Sequence, residues 1–305
     1  MPECADRMKT ARDAAARIGR VGVWSFELER RTAQDARRFA AEVASLGYPT
    51  LWLPESLGSK EIFAHVGLLL AGSDGLVLAS GIANIWARDA VAMANGARTL
   101  VEAYPDRFLL GIGVSHAPAV GARGGSYTRP LEHMRGYLDA MDAAPFVGPN
   151  RKDPPPPRVI AALGPRMLRL AAERSLGAHP YFVPVEHTTL ARTTMGPEPL
   201  LAVEQATVLE TDPVKARAIA RQHMKRYLEL DNYTNNLRRL GWGDRDLEGG
   251  GSDALVDAIV AWGDAAAIGE KVAAHHAAGA DHVCLQMLGD DPARDLRAVA
   301  ATVLR

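Results

Sequence analysis

Phe108-Leu109-Leu110-Gly111-Ile112-Gly113-Val114-Ser115-His116 is the stretch from which the fold is read. An apolar run of strand length gives way to small and polar residues, the pattern of a buried parallel strand whose far end opens onto something other than core. The flanking segments carry the other periodicity. Arg88–Tyr104 before it and Pro130–Ala143 after it repeat their apolar residues at helical spacing, so the local unit is helix, buried strand, helix.

That unit recurs along the chain. Strand-like runs fall at Val21–Phe26, Thr50–Pro54, Leu76–Ile82, Phe108–Val114, Arg158–Leu163, His179–Pro184, Leu200–Leu209 and His282–Leu288. Helical patterns occupy Thr32–Ser45, Arg88–Tyr104, Pro130–Ala143, Arg166–Ser175, Pro213–Leu230 and Asp264–Ala278. Asp212-Pro213 is a capping residue before a first-turn proline, and Gly47 and Gly279 stand where helices should stop. Eight strands in this alternation predict an α/β protein, a single (β/α)8 TIM barrel spanning 1–305. Two insertions are expected. Pro145–Pro157, with four consecutive prolines, reads as a stiff connection; Asp231–Trp262 carries Leu237, Leu240, Trp242, Leu255 and Ile259 and should pack on the barrel. A doubly wound open sheet would place G-x-G-x-x-G between its first strand and helix, and that motif is absent.

The 305 residues are 48% hydrophobic and 23% charged, as in folded globular chains. Thirty-five basic against 36 acidic residues give a net charge of -1, which offers no field for gathering nucleic acid or an anionic membrane. Two cysteines, Cys4 and Cys284, support neither a disulfide framework nor a cysteine zinc site. The first residues lack the apolar stretch of a secretory signal, and charges or Gly/Pro interrupt every apolar run, so a cytoplasmic protein is expected.

In a barrel of this kind, functional groups gather at the C-terminal strand ends. The second strand ends in Pro54-Glu55-Ser56, the third in Ser80-Gly81-Ile82-Ala83-Asn84, the fourth in Gly113-Val114-Ser115-His116, the fifth in Gly164-Pro165-Arg166-Met167 and the sixth before Glu186-His187. The glycine-bearing turns let backbone approach an anionic or planar ligand, and Arg166 adds positive charge. Glu55 and His116 are the groups able to exchange protons with a substrate. His275-His276 lies on a regular helix and is assigned to packing and solvent. No H-E-x-x-H, G-x-S-x-G, P-loop or C-x-x-C pattern occurs, and few self-sufficient reactive groups remain, as expected where an organic cofactor carries the chemistry.

Taken together, Leu51-Trp52-Leu53-Pro54-Glu55, Ala79-Ser80-Gly81-Ile82-Ala83-Asn84-Ile85-Trp86-Ala87-Arg88-Asp89, Tyr104-Pro105-Asp106-Arg107 running into the Phe108 strand, Ala162–Met167, Trp262-Gly263-Asp264 and Ala278-Gly279-Ala280-Asp281-His282-Val283 resemble the luciferase-like monooxygenase superfamily. The resemblance is in particular to its deazaflavin (coenzyme F420) dependent oxidoreductases of actinobacterial type. It implies a flat ring in the barrel mouth against a bulge at Ser80, Gly81 and Ile82, with a cis Gly81–Ile82 peptide. By the same resemblance Asn84 would hydrogen-bond the ring, while Gly113, Val114, Ser115, Gly164, Pro165, Arg166 and Met167 would line the cofactor and its phosphate-bearing tail.

His116 falls where related sugar-phosphate dehydrogenases carry a glutamate acid, and Ser56 where they carry a histidine base. A serine cannot remove a hydroxyl proton unaided, so sugar-phosphate oxidation is disfavoured. The expectation is hydride transfer between F420 and an activated C=C or C=O of a small molecule, with His116, or a water held by Glu55, moving the proton. The alternatives are an FMN-dependent monooxygenase on the same barrel and a non-catalytic flavin-binding protein. A homodimer is the expected assembly, with no metal, nucleic acid or membrane partner.

Overall fold

The computed structural model describes residues 8–149 and 155–305. Eight parallel strands form a ring: β1 (Val21–Trp24), β2 (Thr50–Leu53), β3 (Val77–Ser80), β4 (Phe108–Gly113), β5 (Arg158–Ile160), β6 (Gly177–Ala178), β7 (Leu200–Val208) and β8 (His282–Met287). The ring closes at β8, where Val283 pairs with Val203 on one side and Val21 on the other. Short strands Ala83–Asn84 and Ala261–Trp262 extend the pairing beside β4 and β7. The (β/α)8 barrel is therefore the fold.

The strands read as unbroken apolar runs because both faces are buried. Along them, Val23, Leu51, Leu78 and Leu110 point outward and pack with Phe39, Val66, Met93 and Leu138 of the surrounding helices. Their neighbours Trp24, Trp52, Ala79, Leu109, Val159 and Cys284 fill the barrel interior. The helix Ala11–Ile18 supplies Ala14 and Ile18 to that interior layer and is held by a reciprocal Thr10–Asp13 cap.

Several helix starts fall where the side chains dictate. Thr32, Asp89, Asp212 and Asp264 each accept a backbone N–H of the helix that follows. The sixth strand departs from expectation. It is confined to Gly177–Ala178; His179 and Pro180 keep one backbone bond each, to Ile160 and Glu204, and the chain then leaves the ladder because Pro180 and Pro184 have no N–H to pair and Phe182 turns into the left-handed region (φ 57°). Glu186 and His187 consequently sit in the helix Val185–Met195 rather than at a strand end.

The expected insertion after β7 forms the helices Asp231–Arg239, Asp244–Leu247 and Asp253–Ile259. With the helix Pro213–Leu228 it builds an apolar cluster around Phe182, Tyr227, Tyr233, Leu237, Leu255 and Ile259. The other insertion lies partly outside the described residues, as does Cys4; Cys284 is buried and unpaired. Among the described residues, no helix is long and apolar enough to cross a membrane.

Candidate active site

The C-terminal strand ends surround a cavity of about 770 Å³. Its floor is built at the end of β3. Ser80, fully buried, donates to the Gly111 carbonyl (2.8 Å) and accepts the Gly111 N–H (2.9 Å), so it staples β3 to β4 behind the bulge and does not line the cavity as expected. The following Gly81–Ile82 peptide is cis. Both residues line the cavity, and a Cβ on Gly81 would run into Trp24 Nε1, which explains the glycine. Ile82 packs where a side chain on Gly113 would otherwise stand.

Glu55 reaches this bulge but is not free. Its side chain is 5% exposed, accepts the Asn84 N–H (2.7 Å) and Arg88 Nη1 (3.0 Å), and is also bonded to Arg88 Nη2. Its oxygens hold the turn after β3, which corrects the expectation of a proton-exchanging carboxylate. Asn84 in turn commits Oδ1 to the Trp86 N–H (2.9 Å), leaving Nδ2 for a ligand. Ser56 lines the cavity with its hydroxyl on Glu29 (3.3 Å).

At the end of β4, Ser115 adopts φ 61° and the chain turns into a short helix with His116 at its N-cap position. His116 Nδ1 lies 3.2 Å from Asn232 Oδ1, on the inserted helix Asp231–Arg239. Because Oδ1 accepts, Nδ1 carries the hydrogen and Nε2 keeps a lone pair. Burial is the main force lowering the His116 pKa from 6.5; nearby Arg226 adds to it and Asn232 opposes it. The shift favours the neutral ring. His187 is outside the cavity, fully buried, with Nε2 on the Leu163 carbonyl (2.8 Å). His275 is likewise buried, between Thr188 and Gln205 (2.8 Å each), as its assignment to packing requires.

Gly164 caps the helix Pro165–Arg174 and lines the cavity with Val114, Arg166 and Met167; Pro165, in the first turn, does not. The Arg239 guanidinium lies 3.8–4.0 Å from where a Cβ on Gly164 would be. Arg166, Arg239 and Arg226 all line the cavity, and none forms an ion pair among the described residues. On the β1 side, Trp24, Phe26, Tyr181, Tyr227 and Tyr233 make an aromatic wall.

The sequence reading missed this wall, together with Asn232, Arg226 and Arg239. Trp24, Phe26 and Tyr181 were hidden in runs assigned to strands, and the others lie on segments read only as helix or insertion. One signal was present: Asn232, Asn235 and Arg239 recur at helical spacing on one face.

A closed parallel barrel whose strand ends enclose such a cavity defines the class, and sequence comparison gives the family. The luciferase-like monooxygenase family matches residues 19–282, and the chain belongs to that family. A curated relative, 5,10-methylenetetrahydromethanopterin reductase of Methanolobus tindarius, is 25% identical over 199 residues, or 57% of this chain and 61% of its own length. The match thus spans about three-fifths of that relative. Among solved structures, an F420-dependent secondary alcohol dehydrogenase in complex with an F420-acetone adduct superposes with a TM-score of 0.74 at 15% identity, over 93% of this chain and 98% of its own. The oxygenating constituent of 3,6-diketocamphane monooxygenase from Pseudomonas putida, in complex with FMN, gives 0.64 at 16% identity, over 93% and 97%. At these identities the structures share the barrel.

Proposed function

We propose that this protein is an oxidoreductase that uses coenzyme F420 to transfer hydride to or from a small organic molecule held beside His116. The observation that carries the reading is the composition of the cavity. Glycine-bearing turns and Ile82 offer a flat face, while Arg166 and Arg239, without carboxylate partners among the described residues, stand at a helix N-terminus. A planar ring with an anionic tail fits both features, because an unpaired guanidinium and the free N–H groups of a first helical turn favour the same negative charge. The names of the reductase relative and of the F420-bound neighbour support the choice.

In this reading Gly81, Ile82, Asn84, Gly113, Val114 and Ser115 hold the ring, and Gly164, Arg166 and Met167 with Arg239 hold the tail. When bound, F420 supplies a hydride donor or acceptor at its C5 carbon. Everything else is the work of the chain. Glu55 and Arg88 fix the bulge, the aromatic wall excludes water, and His116 Nε2 accepts a proton from a substrate hydroxyl on oxidation and returns it on reduction. Asn232 keeps the tautomer that makes Nε2 the acceptor.

Parallel fluorescence titrations of the protein with F420 and FMN test the assignment. Micromolar or tighter F420 binding, stronger than FMN, is expected. Equal or tighter FMN binding overturns it in favour of a flavin monooxygenase, and oxygen uptake with FMN would identify that activity.

A further inference from the structure

We propose that the β1 side of the cavity is a subsite for the carboxylate of a flat, conjugated organic acid, paired by Arg226. The inference deepens the oxidoreductase reading and rests on it for the identity of the second ligand. The Arg226 guanidinium is held between two rings, 4.7 Å from the centroid of Phe26 and 4.6 Å from that of Tyr227. One of its N–H groups donates to the Tyr227 hydroxyl (2.7 Å). That bond begins a chain of fixed direction. Tyr181 donates to Gln286 Oε1 (2.7 Å), so its oxygen accepts from Tyr227 (2.8 Å), whose oxygen accepts from Arg226. Every hydroxyl hydrogen in the chain is used, and Arg226 keeps N–H groups for a ligand, the charged donors of a wall that also carries the unpartnered Trp24 Nε1.

The charge is uncompensated. No carboxylate lies within ion-pair distance of Arg226 among the described residues, and Glu55, which also lines the cavity, is already paired with Arg88. Arg166 and Arg239 answer an anionic cofactor tail at the Gly164 end, whereas Arg226 packs on Phe26, with Trp24 against that ring (4.6 Å between centroids). A guanidinium stacked in a plane presents its fork to a carboxylate with little further loss of freedom. The rings beside it suit a planar unsaturated body, and His116, tilted against Tyr233 at 5.3 Å, lies within the same wall.

The test uses trans-cinnamate and its neutral isostere trans-cinnamamide, titrated calorimetrically into the protein alone and into protein saturated with F420. The wild type should bind the acid about fivefold more tightly than the amide, as for a partly exposed charge pair, and less so in high salt. Arg226→Met should erase the preference and Arg226→Lys restore part of it, with F420 affinity unchanged in both. Arg226 is exposed, so these variants are expected to fold. Equal affinity for the two probes, no binding of cinnamate, or a preference that survives Arg226→Met overturns the subsite, as does loss of F420 affinity in Arg226→Met, which would assign the arginine to the cofactor. If the wild type fails to bind F420 yet prefers cinnamate through Arg226, the cofactor reading falls and the carboxylate subsite stands.

Discussion

His116 Nδ1 sits 3.2 Å from Asn232 Oδ1, so a ring at the end of β4 is oriented by a side chain from the insertion that follows β7. Asn232→Leu removes that acceptor and should leave a mixture of tautomers, visible in the nitrogen-15 shifts of the His116 ring. Asn232→Asp places a carboxylate there and should raise the His116 pKa, moving any acid limb of turnover to higher pH. An unchanged nitrogen spectrum in both variants would show that Asn232 does not set the tautomer.

Removing the imidazole tests its role directly. His116→Ala should reduce turnover by about 10²–10⁴ while F420 affinity stays nearly constant. Wild-type turnover across pH 5–9 would remove His116 from the mechanism.

Arg88→Met would strand the Glu55 carboxylate, 5% exposed, without its cation and should cost about 3–5 kcal/mol in denaturant unfolding. Glu55→Gln keeps an acceptor for the Asn84 N–H and should cost less, and the double variant should recover part of the loss. If Glu55 were the proton donor instead, Glu55→Gln would abolish turnover with stability intact.

Gly81→Ala drives a methyl group into the Trp24 ring and to 3.2 Å from His179 Nε2. Overpacking of this kind costs about 1–3 kcal/mol. A lower melting temperature and at least tenfold weaker F420 binding are expected; a variant matching the wild type in both would mean the Trp24 ring moves aside freely.

Stability should peak near pH 6.5. Burial pushes His65, His179 and His187 down to about 4 and His223, His275 and His282 to about 3, from 6.5. These folded values are depressed, so between 6.5 and 4 the unfolded chain takes up protons the fold refuses, and stability falls as pH drops. Glu204 has the opposite sign. Burial raises it from 4.5 to about 8, so its contribution is full below 4.5 and is lost as pH rises through 8, by about 1.4 kcal/mol per unit. Glu204→Gln should flatten the alkaline side of a melting-temperature profile and steepen the acid side between pH 4.5 and 6.5, where Glu204 opposes the histidines.

The barrel was legible because parallel strands buried on two faces leave apolar runs, and because Thr32, Asp212 and Asp264 mark helix starts by local chemistry. The helix Ile62–Leu70 was not, since Ile62, Val66, Leu69 and Leu70 leave it buried over much of its surface and its apolar residues show no clean stripe. Ser80 was found at the right place with the wrong role: its sequence neighbours could not reveal that Gly111 would consume its hydroxyl. Asn232 stands 116 positions from His116, and no periodicity encodes a contact of that span.

The inserted helices close their own apolar cluster on Phe182 and Tyr227, apart from the residues that bind the barrel to its outer ring. Asn232, Asn235 and Arg239 face the cavity from that cluster, which rests on Ala206 and Val208 of β7. Change at these positions alters what the mouth accepts while the register of β7 and β8 is kept by residues elsewhere. Selection can thus act on ligand choice and on foldability as two nearly independent traits, and a lineage can trade one compound for another by redrafting a single segment of its chain.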